Sequence, residues 1–595
     1  MSEKYFITTP RYYPSGKWHI GTCYTTVVCD ALAEFKRKDG AEVFYLTGTD
    51  EHGQKIERIA AEKGVAIKDF LDERVGALKA LWQKLGIKYD KFIRTTDGYH
   101  EKAVQKIFEQ LYAQGDIYKS EYEGWYCTPC ESFWTESQLK DGKCPDCGRA
   151  VEKAKEESYF FRLSKYQDKI INLIKENPEW LLPVPRQNEM LNNFLLPGLT
   201  DLSVTRTSFK WGIEVPFDKK HIVYVWVDAL ANYITALGYK GEDDLDFKKY
   251  WAATETHGEF AFAPVVHLMG KEIIRFHSIV WPALLLALGI PLPKKVYGHG
   301  WLLFGEDKVS KSKGNTVDPV VLSDKYSVDA LRYFLLREVP FGSDGEYTNR
   351  AFLTRRNADL CNTLGNLLSR TAAMLMQYFG GAVPSYAAQK TGIHSELAVQ
   401  ANELFPKLRE YIDKLLVPEA LNEIFKLLSR ANKYIDETTP WLLAKDPAKR
   451  DELALVLYNL AETLRISALA LSPFLPDTAQ RIFDTFGLKA PKFFAKNDKF
   501  GVLKPGTSVV IGEKLYDRID IDKELALLDT ENAAKEVKPA PKKEAKVIEN
   551  KPEIAFGDFA KCDFRIGVVK ACEKVAKSDK LLKFNIDFGT EERVI

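Results

Sequence analysis

The chain has 595 residues, of which 45% are apolar and 28% charged, with 84 Lys and Arg against 83 Asp and Glu. That length exceeds one hydrophobic core and requires several domains, while a formal charge of +1 excludes a global basic excess, so any nucleic-acid surface has to be a local patch. The longest apolar run, 279–293, carries three prolines and falls short of the roughly 20 residues a bilayer span needs, and the start MSEKYFITTP lacks the apolar stretch of a secretory signal. These features predict a cytoplasmic protein with no membrane segment.

In chain order, the first half alternates short β-rich runs with helical stretches. Tyr5–Thr9, Val43–Thr47, Ile222–Trp226, Val265–Met269 and Lys295–Tyr297 read as buried strands, and Thr25–Lys38 and Ile279–Leu288 as helices, which predicts a parallel α/β sheet. The alternation breaks at 119–216, where cysteines, prolines and aromatics gather, so that stretch reads as an insertion between sheet halves at 1–118 and 217–348. From 349 to 528 the pattern is helical: Leu421, Ile424, Phe425, Leu428 and Ile435 keep the spacing of one buried face, as do Leu453, Leu457, Leu460 and Leu464. Residues 529–553 are rich in Lys, Glu, Ala and Pro and read as a linker. Residues 554–595 regain β-like alternation, as in Phe584, Ile586 and Phe588.

Two segments carry phosphate chemistry. Pro14 to Thr22 lies between the first strand and a helix, where backbone N–H groups and the positive end of the helix dipole can hold a phosphate. His19 adds a donor there, and Gly21 allows close approach of a nucleotide. Asp307 to Asn315, after the last strand, sets Lys308, Lys311 and Lys313 among Ser310 and Ser312, a set of cations and hydroxyls suited to a leaving pyrophosphate. Each alone is more often a surface turn or a solvated loop; their order on two halves of one sheet makes coincidence unconvincing. The pair resembles the His-Ile-Gly-His and Lys-Met-Ser-Lys-Ser signatures of class I aminoacyl-tRNA synthetases, with Thr22 for the last His and Val309 for Met. The resemblance implies ATP and Mg²⁺ as reaction partners, with His19, Lys308 and Lys311 catalytic and His19, Gly21, Thr22, Lys308, Ser310, Lys311 and Ser312 around the nucleotide.

Four of the nine cysteines form two Cys-x-x-Cys knuckles, Cys127 with Cys130 and Cys144 with Cys147, at the spacing of one tetrahedral, structural Zn²⁺. Four longer stretches, Leu46–Lys55, Gly198–Arg206, Tyr224–Ala229 and Gly270–His277, resemble methionyl-tRNA synthetases. In that family Tyr13, Asp50, Trp226, Ala229, Tyr233, Ile273 and His277 surround L-methionine. Arg11 departs from the family, which usually has an aliphatic residue there. An insertion of about 100 residues holding a zinc knuckle leaves little room for the editing site that the leucine, isoleucine and valine enzymes need, because one methylene separates substrates by only about 1–3 kcal/mol. The rival readings are a class I synthetase for another amino acid, such as cysteine, and a catalytically silent tRNA-binding protein.

The helical domain is expected to read the anticodon of tRNA(Met): Asn366, Arg370, Pro440 and Trp441 match the family's anticodon positions, with Asn and Arg suited to base edges and Trp to stacking. The last segment resembles the start of the OB-fold tRNA-binding domain appended to many bacterial members. It is about half the length such a barrel needs, so an incomplete chain end is expected, and with it a homodimer when that domain is whole.

Overall fold

A computed structural model describes residues 2–128, 132–134, 136–145, 147–304, 318–385, 392–535, 566–574 and 582–595. They form two compact units, Met1–Ala533 and Ala534–Ile595.

The first unit is organised by a parallel sheet. Its strands are β1 (Lys4–Thr8), β2 (Glu42–Thr49), β3 (Lys91–Arg94), β4 (Leu181–Leu182), β5 (Phe260–Gly270) and β6 (Leu292–His299). Their order across the sheet is β3-β2-β1-β5-β6-β4, every neighbouring pair parallel, with Glu255–His257 added antiparallel to β5. Phe6 pairs with Val265 and Thr8 with His267. Residues 5–8 of β1 and 43–49 of β2 are buried without alternation, as strands covered on both faces must be. The chain steps outward from β1 to β3 and later returns to build on the other side of β1. The strand order therefore reverses between β1 and β5, and such a reversal opens a crevice beyond the carboxyl ends of the strands.

The expected insertion and the strand expected at Ile222–Trp226 both differ from what is observed. Ile117–Cys127, Ser132–Trp134, Glu152–Phe161 and Leu202–Ser203 do form a separate antiparallel sheet, with Ile117–Cys127 and Glu152–Phe161 paired from Ile117–Phe161 to Tyr126–Glu152. β4, however, lies within 119–216 and is the outer strand of the main sheet, and Ile170, Leu173, Trp180 and Leu195 pack into the main core. Ile222–Trp226 is not a strand of the main sheet either. Only Ile222–Val223 is extended, paired with Thr205–Arg206, and a helix starts at Val225. Burying Val227, Leu230, Tyr233 and Ile234 on one helix overrides the strand preference of a Val-Trp-Val run.

The helical part contains α4 (Asn366–Phe379), α5 (Ile393–Asp413), α6 (Val417–Thr438) and α7 (Arg450–Leu471); earlier helices that bear on the site are α1 (Ile20–Asp39), α2 (Gly98–Ala113) and α3 (Val225–Thr235). Leu421, Ile424, Phe425, Leu428 and Ile435 are buried on α6, as their spacing predicts. α7 is buried on every side from Leu453 to Leu471 and runs through the middle of the bundle. Among the described residues, Pro447–Leu471 is the helical stretch long and apolar enough to cross a membrane, and its apolar window is wholly buried in this fold. The bundle and the sheet share one core. Arg332 joins them: it pairs with Asp30 of α1 at 2.8 Å and donates to the carbonyls of Pro473 and Phe474 at 3.1 and 2.8 Å.

The linker expected from 529 starts later than its composition suggested. Helix Ile521–Lys535 continues through Ala533, Ala534 and Lys535, all good helix formers. In the second unit Val568–Lys574, Leu582–Asp587 and Glu592–Val594 form an antiparallel meander.

Candidate active site

Each candidate segment follows the carboxyl end of a different strand. The turn after β1 leads to α1, whose first residue is preceded by His19 in extended conformation. The first turn of α1 holds no acidic residue and the last holds Lys36, Arg37 and Lys38, so the positive pole at the N-terminus stays uncompensated while the negative pole is matched. A Cβ on Gly21 would lie 3.0 Å from the His19 ring, so glycine is what lets the imidazole fold over the helix start. Thr22 N–H donates to the His19 carbonyl at 2.9 Å, within the first turn of α1.

Asp50 leaves the end of β2 beside Tyr12 and Tyr13. Its N–H donates to the Tyr12 carbonyl at 3.1 Å, and the Tyr13 hydroxyl donates to the His52 carbonyl at 3.1 Å. Trp226, Ala229 and Tyr233 share one face of α3, at the i, i+3, i+7 spacing of a helix. Ile273 and His277 follow β5, in a segment that includes a π-helical turn, Phe276–Val280. Trp281 N–H donates to the carbonyl of Phe276, five residues back, and Pro282 next to it has no N–H to give, which accounts for the wide turn.

These segments meet. The Trp226 ring stacks on Phe276 at 3.8 Å and stands edge-on to His277 at 6.3 Å. His277 Nδ1 donates to the Ile273 carbonyl at 3.0 Å, so Nε2 is the acceptor for the Tyr233 hydroxyl at 2.8 Å. Burial pulls His277 down to about 4, against the pull of that carbonyl, so the ring is neutral at physiological pH. Burial pushes Tyr233 up to about 12, and the nearby Asp50 charge adds to the rise. His267 beneath is fixed by the same logic: Trp281 Nε1 donates to its Nε2 at 3.1 Å and Thr8 Oγ1 lies 2.8 Å from its Nδ1, with burial again holding it neutral. The result is an aromatic and aliphatic enclosure in which protons sit in defined places.

Three supporting residues escaped the sequence reading. Asp228, on α3, accepts from His52 Nδ1 and from His100 Nε2, both at 2.7 Å, and His100 Nδ1 lies 2.6 Å from Thr235 Oγ1. Burial pulls His52 down, but Asp228 overcomes it and raises the ring to about 10. Burial pushes the Asp228 carboxyl up, and the two imidazoles more than cancel that and hold it below the usual carboxylate range. His52 and Asp228 lie inside two of the motif stretches, a signal that was available; His100 stands alone in α2, and nothing in its neighbourhood marked it.

Lys308, Ser310, Lys311 and Ser312 lie outside the described residues. The segment leading to them is anchored, because Thr25 of α1 donates to His299 Nε2 at 2.6 Å while His299 Nδ1 donates to the Gly300 carbonyl at 2.7 Å.

In the inserted sheet Cys127, Cys144 and Cys147 bring their Sγ atoms within 4.8 Å of one another, with Cys127 and Cys147 at 3.5 Å and no disulfide between them. Ligands on a tetrahedral Zn²⁺ with Zn–S near 2.3 Å stand about 3.8 Å apart, so the cluster fits that ion. Cys130 lies outside the described residues. Trp134 packs with these cysteines, and the Arg275 guanidinium lies 4.9 Å from both the Trp134 and the Phe276 rings, linking the cluster to the wall behind Trp226.

At the far end of the bundle Asn366 and Arg370 are exposed one turn apart on α4, and Arg370 pairs with Asp436 of α6 at 3.3 Å. Trp441, five residues beyond Asp436, is 41% exposed, whereas Pro440 is buried and shapes the turn.

A parallel sheet with its reversal at β1, a histidine-capped helix on one side and an aromatic enclosure on the other define a class I aminoacyl-tRNA synthetase. The model of class I tRNA synthetases (M) matches residues 5–372, and that of the anticodon-binding domain of methionyl tRNA ligase matches residues 383–533. The methionine–tRNA ligase of Caldanaerobacter subterraneus subsp. tengcongensis is 56% identical over 100% of this chain and 90% of its own length, and that of Clostridium perfringens is 55% identical over the same shares. Among solved structures, Mycobacterium tuberculosis methionyl-tRNA synthetase in complex with methionyl-adenylate superposes with a TM-score of 0.80 at 39% identity, covering 87% of this chain and 100% of that one. The chain belongs to the methionyl-tRNA synthetase family.

Proposed function

We infer that this protein is a methionine–tRNA ligase, which activates L-methionine with ATP to methionyl-adenylate and transfers the methionyl group to the terminal adenosine of tRNA(Met). The observation that carries the reading is the enclosure of Trp226, Phe276, Tyr233 and His277 beyond the end of β5, with the Asp50 charge close enough to act on Tyr233. Asp50 takes the α-ammonium, while Trp226, Ala229, Tyr233, Ile273 and neutral His277 enclose a thioether that offers almost no hydrogen bond. The methionine carboxylate attacks the α-phosphorus in line. The positive pole of α1, His19 and Thr22 sit where negative charge grows on that phosphate, with Gly21 allowing close approach. Lys308, Lys311, Ser310 and Ser312 take the leaving pyrophosphate; the Thr25–His299 bond, which ties the end of β6 to α1, supports this role. Mg²⁺ bound with ATP supplies charge neutralisation on the phosphates.

Cys127, Cys130, Cys144 and Cys147 hold one structural Zn²⁺ in this reading. Asn366, Arg370 and Trp441 meet the anticodon, with Pro440 setting the turn. A tRNA substrate suits the cytoplasm, and a homodimer through the C-terminal domain belongs to the same reading. ATP–pyrophosphate exchange across a panel of amino acids tests it: strong turnover with methionine alone is expected. Preference for cysteine would replace the substrate, and silence with every amino acid would leave only a tRNA-binding protein.

A further inference from the structure

Arg11 is a cation set among neutral groups of the amino-acid site. Its Nη2 donates to the Thr9 carbonyl at 2.8 Å, with the Leu46 carbonyl at 3.5 Å, and its Cζ lies 5.1 Å from the centre of the Tyr233 ring. Nε and Nη1 are buried and make no hydrogen bond. The groups that offset its burial are the phenols of Tyr233, Tyr12 and Tyr45 rather than a carboxylate, and burial lowers its pKa. Its charge also reaches His277 and His267, both of which burial already holds neutral. Buried donors left without acceptors are costly, and a buried charge without a counter-group more so. A thioether is too weak an acceptor to relieve that cost. An oxygen carried on the sulfur can take one of the free N–H groups, which point to opposite edges of the guanidinium.

We propose that Arg11 is a specificity-determining residue that extends the amino-acid site to methionine sulfoxide, by giving one of its two free N–H groups, that of Nε or that of Nη1, to the sulfoxide oxygen. This rests on the ligase reading above. The sulfoxide keeps the chain length of methionine and its terminal methyl, so Trp226 and Ile273 still have an apolar group to enclose, and only the sulfur gains an oxygen. A carboxylate of the glutamate type offers oxygens too, but it is shorter and lacks the methyl.

The test measures ATP–pyrophosphate exchange by the full chain with L-methionine, each sulfoxide epimer of L-methionine, and L-glutamate, for the wild type, Arg11→Leu and Arg11→Lys. The expected result is exchange with one sulfoxide epimer in the wild type. Its kcat/KM relative to methionine should fall at least about tenfold in Arg11→Leu, as loss of one hydrogen bond to a charged group predicts, and by less in Arg11→Lys. Should the leucine variant not fold, the wild type alone decides. The sulfoxide is then expected to raise its melting temperature in the absence of ATP by at least as much as methionine does. A wild type that turns over methionine but neither binds nor activates the sulfoxide overturns the inference and leaves the ligase standing, as does an unchanged ratio in Arg11→Leu or a preference for glutamate. Silence with every substrate removes the ligase and the inference together.

Discussion

His277 shows how little hydrogen bonding a thioether site needs and how firmly it must be arranged. Its donor goes to a backbone carbonyl and its acceptor to Tyr233, so neither is left to compete for substrate. Replacing it with Phe keeps the volume but frees the Tyr233 hydroxyl inside the enclosure. The expected outcome is a rise of about tenfold in the KM for methionine, the worth of one buried hydrogen bond, with kcat little changed because the ring touches no reacting atom. Because burial lowers its pKa to about 4, the neutral form is favoured and its stabilising effect is complete above about 6.5, the pKa of a free imidazole. That effect is lost as pH falls toward 4, so the melting temperature of the wild type should drop between about 6.5 and 4, and by less in the Phe variant. Lys311 should split the two parameters the other way. Its alanine variant is expected to lower exchange by about 10²- to 10³-fold, the usual cost of one donor to developing charge, while methionine binding in the absence of ATP stays close to wild type. The resemblance singled out residues 226, 229, 233, 273 and 277, but their arrangement was not legible in the sequence. Trp226 and Tyr233 read as strand-end aromatics until the helix placed them on one face, because a Val-Trp-Val run carries β propensity and burial of α3 decides otherwise.

α3 is held at a fixed depth by one charge. Asp228 accepts from His52, on the segment carrying Asp50, and from His100 on α2, so three elements share one carboxylate. Helix spacing in the sequence shows which face of α3 is buried, yet it cannot show that its acid pairs with imidazoles about 130 and 180 residues earlier; only the fold brings them together. Asp228→Asn should cost about 3 kcal/mol, typical for breaking a buried charge pair, read as a lower urea midpoint, and should raise the KM for methionine by letting α3 shift. The pH sign follows from His52. Its folded value near 10 exceeds the 6.5 of an unfolded imidazole, so its contribution to stability is complete below 6.5 and is lost as pH rises to about 10. Wild-type stability should therefore fall across that window more steeply than that of Asp228→Asn; equal slopes in the two proteins would remove Asp228 as the cause.

At the scale of the whole molecule, the parallel sheet, the helical bundle and the gathering of Cys127, Cys144 and Cys147 were readable from period and spacing, whereas the boundaries between them were not. β4 belongs to the main sheet although it lies inside the insertion, because a strand of two residues leaves no pattern in sequence and its place is fixed only by pairing with Val296 and Tyr297. That shared construction makes the cysteine cluster, the proposed zinc site, more than an appendage. Trp134 rests with Cys127 and Cys144, Arg275 lies over Trp134 and Phe276, and Phe276 carries Trp226. Loss of the metal should therefore be felt in the methionine site. Cys144→Ser is expected to lower bound zinc from one equivalent toward none, to lower the melting temperature, and to raise the KM for methionine several-fold while the KM for ATP changes little, since the Trp134–Arg275–Phe276 contacts lead to Trp226 and not to His19. Metal analysis, thermal unfolding and exchange kinetics on the same preparation separate the possibilities. If zinc and melting temperature fall together but both KM values stay fixed, Arg275 does not transmit the change, and the knuckle only holds its own sheet together.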